Sequence, residues 1–231
     1  MTEGLTRSDR TAALIDIDGT LVDSTYLHAS AWSSAIRACG FDIPTSRAHR
    51  LIGMRGERLL EELLGKRDAA SVAEQAIDEH ARRFAAVRDE VAALPHAREL
   101  LERLVARDVV VVLVSSAERH EVEYYLELLD AHDLVWASTS AADGSHSKPD
   151  PEPIQIALQR SGSDAAVVIG DSPWDCLAAS AAGLPAVTVL TGGFARSELE
   201  GAGAEAVYEH LGELADDLER VGGLVAHAGA G

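Results

Sequence analysis

Three apolar runs punctuate the chain: "AALIDI" (12–17), "DVVVVLVSS" (108–116) and "AAVVIGDS" (165–172). Each is short, rich in β-branched residues and continuous rather than alternating. Such runs predict strands of a parallel sheet whose two faces are both covered. A weaker run, "LPAVTVL" (184–190), and the segment "DLVWAS" around Leu134 add a fourth strand and a candidate fifth. Between them lie helical stretches: "PHARELLERLVARD" (95–108) opens on proline, whereas "PDPEPIQIALQRSG" (149–162) and "SPWDCLAASAAG" (172–183) stop at glycine. Strand–helix alternation of this kind predicts a doubly wound, Rossmann-like parallel α/β sheet.

The pattern changes between residues 24 and 93. "LHASAWSSAIRACG", "RGERLLEELLG" and "SVAEQAIDEHARRFAAVRDEVAA" all carry the helical period, with no convincing strand among them. The expected organisation is therefore an α/β core formed by 1–23 and 94–231, with an all-helical insertion at 24–93. The tail "GGLVAHAGAG" is low in complexity and is expected to fray.

Composition narrows the setting. With 231 residues, 47% apolar and 25% charged, the chain has the balance of an ordinary globular protein. A formal charge of −18 argues against nucleic acid or an anionic membrane surface as the partner. It also means that an anionic substrate needs local cations. Two cysteines, Cys39 and Cys176, make no disulfide framework. The start, "MTEGLTRSDR", has no apolar secretory core, and no apolar run approaches the ~20 residues of a membrane span. The expected location is the cytoplasm, and the expected assembly a monomer or homodimer.

In an open α/β sheet, ligands bind outside the carboxyl ends of the strands. The polar residues there are Asp16 and Asp18 after the first strand, Ser115 and Ser116 after the second, and Asp171 and Ser172 after the third. Lys148 precedes the helix that leads into the third. Burying neighbouring carboxylates is costly, so Asp16 and Asp18 call for a chemical reason. Lys148 is also one of only two lysines, the other being Lys66, in a chain that otherwise uses arginine. A compact ammonium is not interchangeable with a guanidinium, which supports a specific need at this position.

"DIDGTLVDS" resembles the Asp-x-Asp-Gly-Thr nucleophile motif of the haloacid dehalogenase superfamily. "VVLVSS" is similar to its second motif, "SKPDP" to its lysine motif, and "VIGDSPWD" to its acidic Gly-Asp-Ser-x-x-Asp motif. Any one of these alone is a common turn or helix cap; four in order, each at a strand end or helix start, are not. The insertion lies where one branch of the family, including phosphoglycolate phosphatase and β-phosphoglucomutase, carries a cap domain.

The resemblance implies a phosphatase acting on a small phosphorylated metabolite through an aspartyl-phosphate, with a β-phosphoglucomutase-like sugar phosphomutase as the alternative. Asp16 is then the nucleophile and Asp18 the acid and base, with Ser115 and Lys148 on the phosphate. Mg²⁺ is expected at Asp16, Asp18, Asp171 and Asp175. The chemistry is coherent. An anionic nucleophile approaching an anionic phosphate at 4 Å meets ~4 kcal/mol of repulsion at an effective dielectric near 20, and a hard divalent cation offsets it. Carboxylates crowded around Asp18 are expected to raise its pKa and favour the acid form at the start. Substrate contacts are expected from Ser116 and, in the insertion, from Gly53, Arg55 and His28. A histidine at the spacing of His28 assists proton transfer in the mutases. The cap loop departs from their pattern, because Gly56 stands where they carry arginine. A dehalogenase is disfavoured, since those relatives lack a counterpart of Asp18.

Overall fold

The computed structural model describes residues 10–228. The chain forms two compact units, Met1–Val22 with Ala93–Gly231, and Asp23–Ala92. No described helix is long and apolar enough to cross a membrane. The start "MTEGLTRSD" lies outside the described residues.

In chain order the elements are β1 (Thr11–Asp16), α1 (Thr25–Ala38), α2 (Thr45–His49), α3 (Gly56–Leu64), α4 (Lys66–Ala85), α5 (Ala97–Val105) and β2 (Val110–Val114). They continue as α6 (Arg119–Leu128), β3 (Ala137–Thr139), α7 (Glu152–Ser161), β4 (Ala165–Gly170), α8 (Pro173–Ala181) and β5 (Ala186–Val189). The last are α9 (Arg196–Gly201), β6 (Ala206–Tyr208), α10 (Leu211–Asp216) and α11 (Leu218–Ala228).

The first unit is built on a six-stranded sheet in the order β3-β2-β1-β4-β5-β6, with every pairing parallel. The connections run outward from β1 through β2 to β3, then return to β4 and run the other way. The carboxyl end of β1 is therefore a topological switch point, where such sheets leave a crevice. Register carries the motifs to one edge: Asp16 pairs with Val114, next to Ser115, and Ile15 pairs with Ile169, two residues before Asp171.

Both faces of the sheet are covered, which is why its strands read as unbroken apolar runs. Ala12 and Leu14 of β1, Val112 of β2 and Val168 of β4 pack with Ile154 and Ala157 of α7 and Ala178 and Ala179 of α8. Helices α5 and α11 pack against β2 and β4.

Three local differences from the sequence reading have simple causes. Strand β6 carries only three residues, at the sheet edge, too few for a periodic signal. Helix α5 starts at Ala97 because His96 sits in the left-handed region at φ 68°. The tail expected to fray instead continues α11 as far as Ala228, anchored by buried Leu218 and Val221; only its last residues, 229–231, lie outside the described chain.

The second unit is all helical. Ala29, Trp32 and Ile36 of α1, spaced by three and four, meet Leu59, Leu60 and Leu63 of α3 and Ala69 and Ala76 of α4. The long segment read as one helix from Ser71 starts earlier, at Lys66, and ends at Ala85. Helix α2 is a single short turn of five residues, below the length that periodicity detects.

Candidate active site

The chain of β1 ends on Asp16, passes through buried Ile17 to half-buried Asp18, and turns at Gly19, whose φ of 86° suits glycine. The turn brings buried Thr20 back toward the sheet. Its hydroxyl donates to Asp171 Oδ1 at 2.9 Å and lies 3.5 Å from Asp16 Oδ2. One threonine thus touches carboxylates from two strand ends.

Beyond β4, Asp171 is followed by Ser172, the N-cap of α8. Asp175 closes that cap: its Oδ2 accepts from the Ser172 hydroxyl at 2.6 Å and from the Ser172 backbone N–H at 3.1 Å. Its other oxygen, Oδ1, accepts from Lys148 Nζ at 2.6 Å. The same ammonium donates to Asp16 Oδ1. Asp16, Lys148, Asp171 and Asp175 are 5%, 3%, 4% and 0% exposed. Asp175 is therefore no surface acid.

Two glycines make room for these side chains. A Cβ on Gly170 would overlap the Asp175 carboxylate, and one on Gly192, just past β5, would overlap that of Asp171. Thr191 beside it donates from its hydroxyl to the carbonyl of Gly19 at 2.5 Å. The loop after β5 is thus tied to the turn after β1.

Burial dominates the electrostatics. It drives the Asp16 carboxyl up to about 7 even though Lys148 pulls the other way, and Asp175 and Asp18 add to the rise. Asp171 is pushed well above the usual carboxylate range by burial, then by the charges of Asp16 and Asp175. Burial pulls the Lys148 ammonium down, but Asp16 and Asp175 outweigh it and hold its pKa above the ordinary value. Three buried carboxylates thus face one ammonium. Among the described residues Asp171 has no cation of its own, only the neutral Thr20 hydroxyl.

Asp16, Asp171 and Asp175 can each offer an oxygen within 4.8 Å of the others. The donors are hard, the net charge is negative and water is largely excluded, so this cluster suits a divalent cation that prefers oxygen ligands.

Ser115 lies buried at the end of β2. Its backbone N–H donates to Thr139 Oγ1 at 3.3 Å, and its hydroxyl accepts from the Ala117 N–H at 3.0 Å. Ser116 follows it, half-buried. His28, Gly53 and Arg55 belong to the helical unit. There His28 is buried and stacks on Phe84 at 3.7 Å, and its Nδ1 lies 3.2 Å from Nε2 of His80, which stacks on Trp32 at 4.1 Å. Gly53 has φ 98°, and Arg55, ahead of α3, lies 3.8 Å from Glu57.

Sequence reasoning passed over Thr20, Gly170, Gly192 and His80. Thr20 stands inside the quoted "DGT", and Gly192 is one of a glycine pair just after an apolar strand; both were signals. His80 had none, since its partner lies fifty-two residues away.

The family model for haloacid dehalogenase-like hydrolases matches residues 13–189, and the chain belongs to that family. Among characterised relatives, validoxylamine A 7'-phosphate phosphatase of Streptomyces hygroscopicus subsp. limoneus is 31% identical over 186 residues, covering 78% of this chain and 85% of its own. A phosphoglycolate phosphatase of Rhodospirillum rubrum is 32% identical over 126 residues, or 54% of this chain and 52% of its own. The crystal structure of a hydrolase from Pseudomonas syringae is 32% identical, with a TM-score of 0.84, covering 92% of this chain and 99% of that one.

Proposed function

We propose that the protein is a Mg²⁺-dependent phosphatase of a small phosphorylated metabolite, working through an aspartyl-phosphate on Asp16. The observation that carries this reading is the buried set in which Lys148 bridges Asp16 and Asp175 while Asp171 lies alongside. The names of the relatives, both phosphatases of small molecules, support the substrate class.

Lys148 and the Ser115 hydroxyl bind the phosphoryl oxygens and orient phosphorus toward Asp16. A carboxylate oxygen of Asp16 attacks phosphorus as the bond to the substrate oxygen breaks. Asp18 gives its proton to that leaving oxygen. Now a carboxylate, Asp18 takes a proton from the water that attacks the aspartyl-phosphate, so inorganic phosphate leaves and Asp16 is restored. Lys148 also favours the ionised form of the buried Asp16 carboxyl, working against the upward pull of burial. Asp16, Asp171 and the backbone carbonyl of Asp18 would hold Mg²⁺, with Asp175 binding it directly or orienting Lys148. When bound, the ion supplies positive charge that offsets the repulsion between nucleophile and phosphate.

We assign the helical insertion, 24–93, to the cap, with Arg55, Gly53 and His28 reading the substrate beyond its phosphate and Ser116 assisting at the core. The free thiols of Cys39 and Cys176 agree with a cytoplasmic location. The mutase alternative loses support at Gly56. A Cβ there would come within 2.8 Å of the Trp32 ring, so the arginine of the mutase pattern would require that ring to move.

The deciding experiment is a phosphate-release screen over sugar phosphates, phosphoglycolate, nucleotides and phosphoamino acids, with Mg²⁺ and with chelator. Mg²⁺-dependent release from at least one substrate is the expected result. Faster conversion of β-glucose 1-phosphate to glucose 6-phosphate than release from any substrate would overturn it.

A further inference from the structure

Lys148 lies in the loop between β3 and α7, with no strand or helix to fix its backbone. Helix α7 does so instead, from both of its ends. In the first turn, Glu152 Oε2 accepts from the backbone N–H groups of Ser145 at 2.7 Å and His146 at 2.5 Å, and lies 3.2 Å from the His146 ring nitrogen Nδ1. In the last turn, Arg160 donates to the Ser138 carbonyl and to Asp143 Oδ1, both at 2.5 Å. Asp143 Oδ2 in turn accepts from the Ser140 backbone N–H at 2.8 Å and hydroxyl at 2.9 Å. The loop passes so close that a Cβ on Gly144 would lie 3.0 Å from Glu152 Oε2.

An acid in a first helical turn is ordinarily explained by the helix dipole. Glu152 does more than that, because the N–H groups it receives belong to the loop, outside its own helix. Bonds from N–H to a carboxylate are charge-assisted and about twice as strong as neutral ones. A lysine has roughly 2 kcal/mol of rotamer entropy to lose on fixing its side chain, so a backbone that wanders would spread the ammonium over many positions.

We propose that Glu152 is a positioning residue for Lys148: by gripping the backbone three and two residues upstream, it sets where the ammonium meets Asp16. This inference rests on the phosphatase reading for its kinetic consequence but not for its structural one.

The test is a double-mutant cycle on Mg²⁺-dependent hydrolysis of p-nitrophenyl phosphate, joined to amide hydrogen exchange. Glu152→Ala is expected to lower kcat about 10–100-fold, the range typical of outer-shell partners, with KM changed less than about threefold. Glu152→Gln, which keeps an acceptor oxygen, is expected to recover most of the loss. In a Lys148→Ala background, Glu152→Ala should cost less than about twofold, because its effect runs through the lysine. An equal fall in both backgrounds, or an unchanged kcat in Glu152→Ala, overturns the proposal. Amide exchange over 145–148 should quicken in Glu152→Ala while that over 165–170 does not. If the wild-type protein hydrolyses no phosphate ester, the phosphatase reading fails, and exchange alone then decides: an unchanged rate over 145–148 overturns the inference.

Discussion

Asp175 uses its two carboxylate oxygens on different partners: Oδ1 accepts from Lys148 Nζ at 2.6 Å, and Oδ2 accepts from the Ser172 hydroxyl at 2.6 Å. The start of α8 and the buried ammonium are thus held by one side chain. Asp175→Asn keeps the size and one acceptor but removes the charge, leaving Lys148 with Asp16 alone. Breaking a buried pair in this way commonly costs 3–5 kcal/mol, here roughly the lower figure because Asp16 remains. We expect a lower denaturant midpoint and a fall of about 10–100-fold in kcat/KM. A variant with unchanged midpoint and full activity would remove Asp175 from the site.

Asp16 and Asp18 are expected to fail at different steps. Asp16→Asn should abolish turnover while the circular dichroism spectrum stays native. Asp18→Asn should accept a phosphoryl group and stall, so acid-quenched protein retains label from a radiolabelled phosphate ester. Near-normal turnover by Asp16→Asn would refute the nucleophile assignment outright.

Gly192 supplies a sharper test of Asp171. A methyl group there must displace the Asp171 carboxylate, because the two would overlap. Gly192→Ala is expected to raise the Mg²⁺ concentration for half-maximal activity by at least tenfold, a loss of about 1.4 kcal/mol in binding. A Mg²⁺ titration of phosphate release reads this directly. An unshifted titration would mean that Asp171 does not hold the ion.

Acid stability should report on Asp143. Hydrogen bonding to Arg160 holds its carboxyl down at about 2, with further bonds from Ser140. The folded pKa lies below the unfolded value near 3.9, so this group's stabilisation is complete above about pH 4. It fades as pH falls toward 2. Unfolding free energies from urea titrations down the acid range should drop in the wild type by an amount on the order of 1 kcal/mol attributable to this group, given its partial contact with solvent. Asp143→Asn should flatten that part of the profile.

Much of this was legible in the sequence, and the boundary is instructive. Strands β1, β2, β4 and β5 are buried on both faces, so their apolar character survives in one dimension; β6 is three residues at an edge and leaves no such trace. Asp16 and Asp171 could be singled out because polar groups ending apolar strands are costly without a use, and Lys148 because it is one of only two lysines in a chain that otherwise uses arginine. Thr20 and Gly192 were harder, because their importance lies in what they touch: a carboxylate 151 residues away for one, the absence of a Cβ for the other. The pairing of His28 with His80 depends on how α1 meets α4, a relation between helices that neither segment encodes alone.

The helical unit leaves and rejoins the chain at one spot. Val22 bridges antiparallel to Ala93, the Leu94 N–H donates to the Leu21 carbonyl at 2.9 Å, and the Asp23 N–H donates to that of Ala92 at 2.9 Å. For the sheet, seventy residues are therefore equivalent to a hairpin loop, since both ends of the excursion are already zipped together. An excursion closed at its base in this way can be lengthened or trimmed without re-registering a single strand, because the ends it must join are already held side by side.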